Sequence, residues 1–112
     1  MSYYLFLDDY RYPGDVNWVN IPKQSYIIVR SYDEFKSCIT ERGLPEYVSF
    51  DHDLEARHYE GDYSTPTGLE CAMFLVDFCK RNGYTIPKYG CHSMNPEGVY
   101  RICSYMERNR NG

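Results

Sequence analysis

Several things are missing from this sequence, and each absence removes a class of protein. No apolar run approaches the roughly 20 residues that a membrane-spanning helix needs. The five cysteines, Cys38, Cys71, Cys79, Cys91 and Cys103, form no CxxC pair and are odd in number. That disfavours structural zinc and a secreted disulfide framework, and favours reduced, partly buried thiols. Basic residues are in deficit: 12 Lys and Arg against 16 Asp and Glu give a formal net charge of −4. A wide basic face for extended duplex DNA is therefore not expected, although a grip on one phosphate group is compatible with this charge. No P-loop, Rossmann glycine fingerprint or Gly-x-Ser-x-Gly elbow occurs, which leaves nucleotide-kinase, dehydrogenase and serine-hydrolase readings without support. Met1-Ser2 leads straight into Tyr3-Tyr4-Leu5-Phe6-Leu7 with no basic n-region or small-residue cleavage site. The expectation is a first strand and a cytoplasmic protein, not a signal peptide.

What is present suits one α/β domain over residues 1–112. The composition is 43% hydrophobic and 25% charged, ordinary for a globular chain. There are 13 tyrosines, more than a small core needs, so many should lie at the surface, stacking on a base or a partner or covering the sheet rim. Short apolar runs at Tyr3 to Leu7, Tyr26 to Val29, Tyr47 to Phe50 and, more weakly, Lys88 to Cys91 read as strands. Ser31 with Glu34 and Thr67 with Glu70 are capping boxes opening two helices, which Gly43 and Asn82-Gly83 close. Asn95-Pro96 starts a last helix to about Arg108, with a frayed tail over 109–112. Tyr10 to Ser25 reads as a loop or a single helical turn, and Leu54 to Pro66 as a long polar loop suited to a lid. Alternating strands and helices imply a mainly parallel four-stranded sheet of order 2-1-3-4 with right-handed crossovers and helices on both faces, making three layers. In such a sheet, ligands bind beyond the carboxyl ends of the strands where the order reverses.

Chemistry collects at that edge. The first strand ends in Asp8-Asp9 and the third runs into Asp51-His52-Asp53. Four converging carboxylates repel one another unless some are protonated, a divalent cation binds, or Arg11 and Arg30 balance them. An oxygen-rich cage in which Asp8, Asp9, Asp51 and Asp53 are candidate ligands suits Mg²⁺ or Mn²⁺ ahead of Zn²⁺, and a histidine ligand would shift the preference toward Mn²⁺ or Zn²⁺. Asp9 alone reads equally as a capping residue. His52 and His92, on different strands, could divide acid and base roles in hydrolysing a phosphate ester, or could be structural. His58 reads as a solvated loop residue. Arg11 and Arg30 are the cations best placed to clamp phosphate oxygens, with surface ion pairs as the alternative. Ser93 could bind a phosphoryl oxygen or start a turn. Asn95 caps a helix whose first amides suit an anion, and Thr67-Gly68 opens another such helix start. Trp18 reads as a lid over the sheet edge or as core. If the third strand ran straight on, Asp51 and Asp53 would face one side and His52 the other, so a turn is expected there.

Taken together, Leu5-Phe6-Leu7-Asp8-Asp9-Tyr10-Arg11-Tyr12-Pro13 with Trp18, Ser49-Phe50-Asp51-His52-Asp53-Leu54, Thr67-Gly68 and His92-Ser93-Met94-Asn95-Pro96-Glu97-Gly98 resemble the cyclic-phosphate processing receiver-like domain family across nearly the whole chain. The resemblance implies a small receiver-like, flavodoxin-like fold. It also implies a metal-dependent phosphoesterase acting on cyclic phosphate ends of RNA or related nucleotides in repair and conflict systems. By the same resemblance, Asp8 and Asp9 match a receiver's acidic pair and Asp51 its phosphate-accepting position. His92-Ser93 stands where a receiver has Ser or Thr, and the lysine-bearing fifth strand has no clear counterpart. The working expectation is that Asp8, Asp9, Asp51 and Asp53 bind metal, that Asp51, His52 and His92 are catalytic, and that Arg11, Ser93, Asn95, Thr67 and Gly68 bind substrate. The alternatives are a module that only sequesters a phosphorylated or cyclic nucleotide, and a receiver-like phosphoacceptor.

Overall fold

Four short strands, alternating in side-chain direction, decide where everything else lies. The computed structural model describes residues 2–110. β1 (Tyr4–Leu7), β2 (Tyr26–Val29), β3 (Tyr47–Phe50) and β4 (Lys88–Cys91) form one parallel sheet in the order β2-β1-β3-β4. Leu5, Leu7, Val29, Val48 and Phe50 project into the main core, with Ile27, Tyr89 and Cys91 packed at its margin. The same core takes Phe35, Cys38 and Ile39 from α1 (Tyr32–Arg42), Cys71, Ala72, Leu75, Val76 and Cys79 from α3 (Gly68–Asn82), and Ile102 and Met106 from α4 (Pro96–Arg110).

The expected helices are distributed unevenly between the two faces. All three long helices share the face that carries Leu5 and Phe50, with α3 between α1 and α4. The crossovers β2 to β3 and β3 to β4 advance in the same direction along the sheet, so right-handed connections bring their helices to the same side. Only the step from β1 back to β2 runs the other way. That connection is irregular apart from a 3₁₀ turn at Pro13–Asp15. The sheet's second face therefore has a strap for a cover instead of a helical layer.

Local chemistry explains the helix ends. Thr67 Oγ1 accepts from the Leu69 amide at 3.2 Å, while Glu70 Oε1 accepts from the Thr67 amide at 2.7 Å; this reciprocal cap satisfies amides the first turn cannot pair. Ser31 Oγ also accepts from the Glu34 amide, but Glu34 Oε1 accepts from the Arg30 amide at 2.8 Å instead of that of Ser31, so the expected capping box closes on one side only. α3 stops at Gly83, whose φ of 72° is left-handed. α4 extends through Arg110, so 109 and 110 are helical where a frayed tail was expected, and 111–112 lie outside the described residues. The polar stretch after β3 also differs from expectation: Ala56–Tyr59 form one helical turn, α2. His58 is buried there, not solvated, because Nδ1 accepts from the Leu54 amide at 2.8 Å and Nε2 lies 2.9 Å from Thr65 Oγ1. Among the described residues no helix is long and apolar enough to cross a membrane.

Candidate metal and phosphate site

Strand register builds the site. Leu7 pairs with Val29 on one side and Phe50 on the other, and Phe50 pairs with Cys91. The residue after each strand continues the ladder: the amides of Asp8, Asp51 and His92 donate to Val29, Leu7 and Phe50 carbonyls at 3.0–3.1 Å. Asp8, Asp51 and His92 thus stand in one row at the carboxyl edge. One ligand atom from each lies within 4.8 Å of the others, and all three side chains are buried. They follow the alternation of Phe6 and Ser49, leaning away from the three long helices and toward the strap. The His92 ring stacks on Phe6 at a centroid distance of 4.4 Å.

Each member is held differently. Asp8 Oδ1 accepts from the amides of Tyr10 and Arg11 at 2.9 and 2.8 Å, and Oδ2 lies 2.9 Å from His92 Nε2 and 3.5 Å from Arg11 Nη1. Burial would raise its pKa, but the His92 contact and those two amides outweigh it and hold the carboxyl down at about 2. Asp51 is the opposite case. Its Oδ1 accepts the neighbouring His52 amide at 2.9 Å, the Ser93 hydroxyl lies close enough to ease its charge, and Oδ2 is buried with no hydrogen-bond partner. Burial first, then the charges of Asp8 and Asp9, push it up to about 8. An orphaned carboxylate oxygen beside a second carboxylate and an imidazole is a donor set that a divalent cation satisfies. His92 suits this: Ser49 Oγ sits 2.7 Å from Nδ1, and a hydroxyl can accept or donate, so it supports either tautomer. Trp18 Nε1 donates to the His92 carbonyl at 2.8 Å and so braces the end of β4.

The remaining expected residues divide between other places. Asp9 accepts from the Tyr59 hydroxyl at 2.9 Å, away from the row, and burial raises its pKa despite that bond. At His52 the chain bends, and its side chain goes toward the start of α4. His52 Nδ1 is 2.8 Å from Asp53 Oδ1, the ring meets Tyr63 edge-on, and Asn95 Nδ2 reaches the Asp53 carboxylate at 3.4 Å. Gly98 makes room for that imidazole: a Cβ there would come within 2.4 Å of the ring. Asn95 also caps α4, its Oδ1 accepting from the Gly98 amide at 3.1 Å, and Ser93 Oγ accepts from the Asn95 amide at 3.1 Å. Gly68 packs directly on the Asp51 backbone, where a Cβ would stand 1.8 Å from the carbonyl oxygen, and its amide donates to the His52 carbonyl at 2.8 Å. Thr67 is taken up by its cap. Arg30 donates to the carbonyls of Asp8 and Arg11 and lies over Tyr12, fastening the turn after β1. Arg11 lies over Tyr10 and Trp18 with Nη2 near the Met94 thioether, spanning the mouth of the row.

Two participants were not singled out from sequence. Ser49 was visible as the one polar residue within Tyr47-Val48-Ser49-Phe50, a polar side chain inside an apolar strand. Tyr59 carried no signal, since its partner Asp9 is 50 positions away.

A parallel sheet with buried acids and an imidazole at its carboxyl edge defines a receiver-like α/β protein. The model of the cyclic-phosphate processing receiver domain matches residues 3–108, and the chain belongs to that family. Comparison with curated proteins and with solved structures gives no match.

Proposed function

We propose that the protein is a metal-dependent phosphoesterase that opens cyclic phosphates, such as the 2′,3′-cyclic end of an RNA or a related cyclic nucleotide. The observation that carries this reading is the partnerless, buried Oδ2 of Asp51 beside Asp8 and His92. These three residues would hold the cation, with Ser49 orienting His92. A bound divalent cation supplies polarisation of the phosphoryl oxygens and neutralises their charge. Arg11, at the mouth, directs guanidinium donors to the non-bridging oxygens, and Ser93 presents a hydroxyl beside them. His52, oriented by Asp53 at 2.8 Å, is the proton-transfer group, taking a proton from the attacking water or giving one to the leaving oxygen.

The test is incubation of the protein with an oligoribonucleotide bearing a 2′,3′-cyclic phosphate in Mn²⁺ or Mg²⁺, alongside His52→Ala and His92→Ala. Expected are conversion to the monoester by the wild type, a slow His52→Ala that still binds metal, and a His92→Ala impaired in both. Intact substrate under every metal would remove the hydrolase reading for RNA ends. Intact ligand recovered from a tight complex would instead indicate a sequestering module.

A further inference from the structure

Behind the metal-site row, on the helix side of the sheet, two of the five cysteines face each other. Cys91 is the last residue of β4 and Cys103 lies two turns into α4, and their Sγ atoms are 3.4 Å apart. Cys38, Cys71 and Cys79 are buried in the core. Cys103, by contrast, opens onto a cleft of about 760 Å³, lined also by Tyr47, Tyr89, Gly90 and Glu107, at the far end of the sheet from the acids. Hydrogen bonding from Cys91 lowers the pKa of the Cys103 thiol, and the cleft gives it the access that Cys91 lacks.

We infer that Cys91 and Cys103 are a reversible dithiol–disulfide site that, when oxidised by a peroxide, ties β4 to α4 immediately behind His92. The Cys103 thiolate attacks a peroxide oxygen; the S–O bond forms, the O–O bond breaks, and hydroxide leaves. Cys91 sulfur then attacks the sulfenic sulfur; S–S forms, S–O breaks, and water departs with the Cys91 proton. One peroxide is reduced to two waters as two thiols become one disulfide. The sulfurs need close only from 3.4 Å to the roughly 2.05 Å of a disulfide, a movement that a side-chain rotation and a small strand shift supply. The site stands apart from the proposed phosphoesterase activity and does not depend on it.

The test treats the reduced full chain with hydrogen peroxide, removes the peroxide, alkylates, and maps peptides by mass without reductant. In the wild type, two of the five thiols become refractory to alkylation, the mass falls by two hydrogens, a linked Cys91–Cys103 peptide appears, and dithiothreitol reverses all three. Cys91→Ser and Cys103→Ser each yield no linked peptide, and the single remaining thiol of the pair stays reducible or alkylatable. A wild type with all five thiols still alkylatable, a linkage to another cysteine, or a stable sulfinic acid at Cys103 in place of the linked peptide would each overturn the assignment.

Discussion

Asp51 and His52 are neighbours in sequence and belong to two different clusters. Asp51 turns to the strap side and joins Asp8 and His92, three residues brought level by strand register. His52 turns to the helix side and joins Asp53, Asn95 and Tyr63, held by the shape of α4 at Gly98. The first cluster contains a buried oxygen without a partner and a carboxyl lifted to about 8, whereas in the second Asp53 ties down one ring nitrogen of His52 and Asn95 links Asp53 to Tyr63. On the proposed reading, the unpaired group takes a ligand from outside and the imidazole moves a proton. Charge density alone does not divide these two roles, whereas the reversal of side-chain direction across one peptide bond assigns them to different clusters.

Variants can break this division. The largest effect is expected from His52→Ala, which should lower the rate of cyclic-phosphate opening by roughly 10²–10⁴ while Mn²⁺ affinity, measured by calorimetry, stays within a few-fold of wild type. If metal binding fell with the rate, the two clusters would be one. Asp51→Asn should weaken Mn²⁺ binding by about 100-fold or more, because it removes the unpaired anionic oxygen. Ser49→Ala should cost about 10-fold in Mn²⁺ affinity, as removal of an outer partner of a ligating histidine does, with little change in fold monitored by circular dichroism.

The smallest effect is on metal-free stability. Asp51 is raised from 3.8 to about 8 in the folded chain, so between those values the folded protein binds a proton that the unfolded chain releases. The stability tied to that proton is fully present below about pH 4 and is lost as pH rises through about 8. Thermal melts without metal should therefore fall steadily between about pH 5 and about pH 8.5, and Asp51→Asn should flatten that slope. A wild-type melt that rises over the same window would contradict the protonated Asp51.

How legible these features were in sequence depended on range. The strands at Tyr26–Val29, Tyr47–Phe50 and Lys88–Cys91, the Thr67 capping box and the Ser31 cap lie where local pattern indicated, because their causes act within four residues. The sheet order followed from chirality of the crossovers. The concentration of long helices on one face was implied by that same order but needed each crossover to be followed separately. His58 illustrates the other extreme: its neighbours Arg57, Tyr59 and Glu60 are all exposed, and only the return of the chain at Thr65 encloses it. The destination of His52 could be narrowed to a turn, whereas its partnership with Asp53 required the packing of a helix that begins 44 residues later.

The row at the sheet edge also sets how this chain can change in length. Asp8, Asp51 and His92 stand level because three four-residue strands end in step. One residue inserted into β1, β3 or β4 would carry the acid or imidazole that follows it to the opposite face, and no side-chain substitution could restore it. Insertions into the strap between β1 and β2, or into the stretch joining α3 to β4, leave that phase untouched. Natural length variation among relatives should therefore gather in those two connections and spare the strands to the residue.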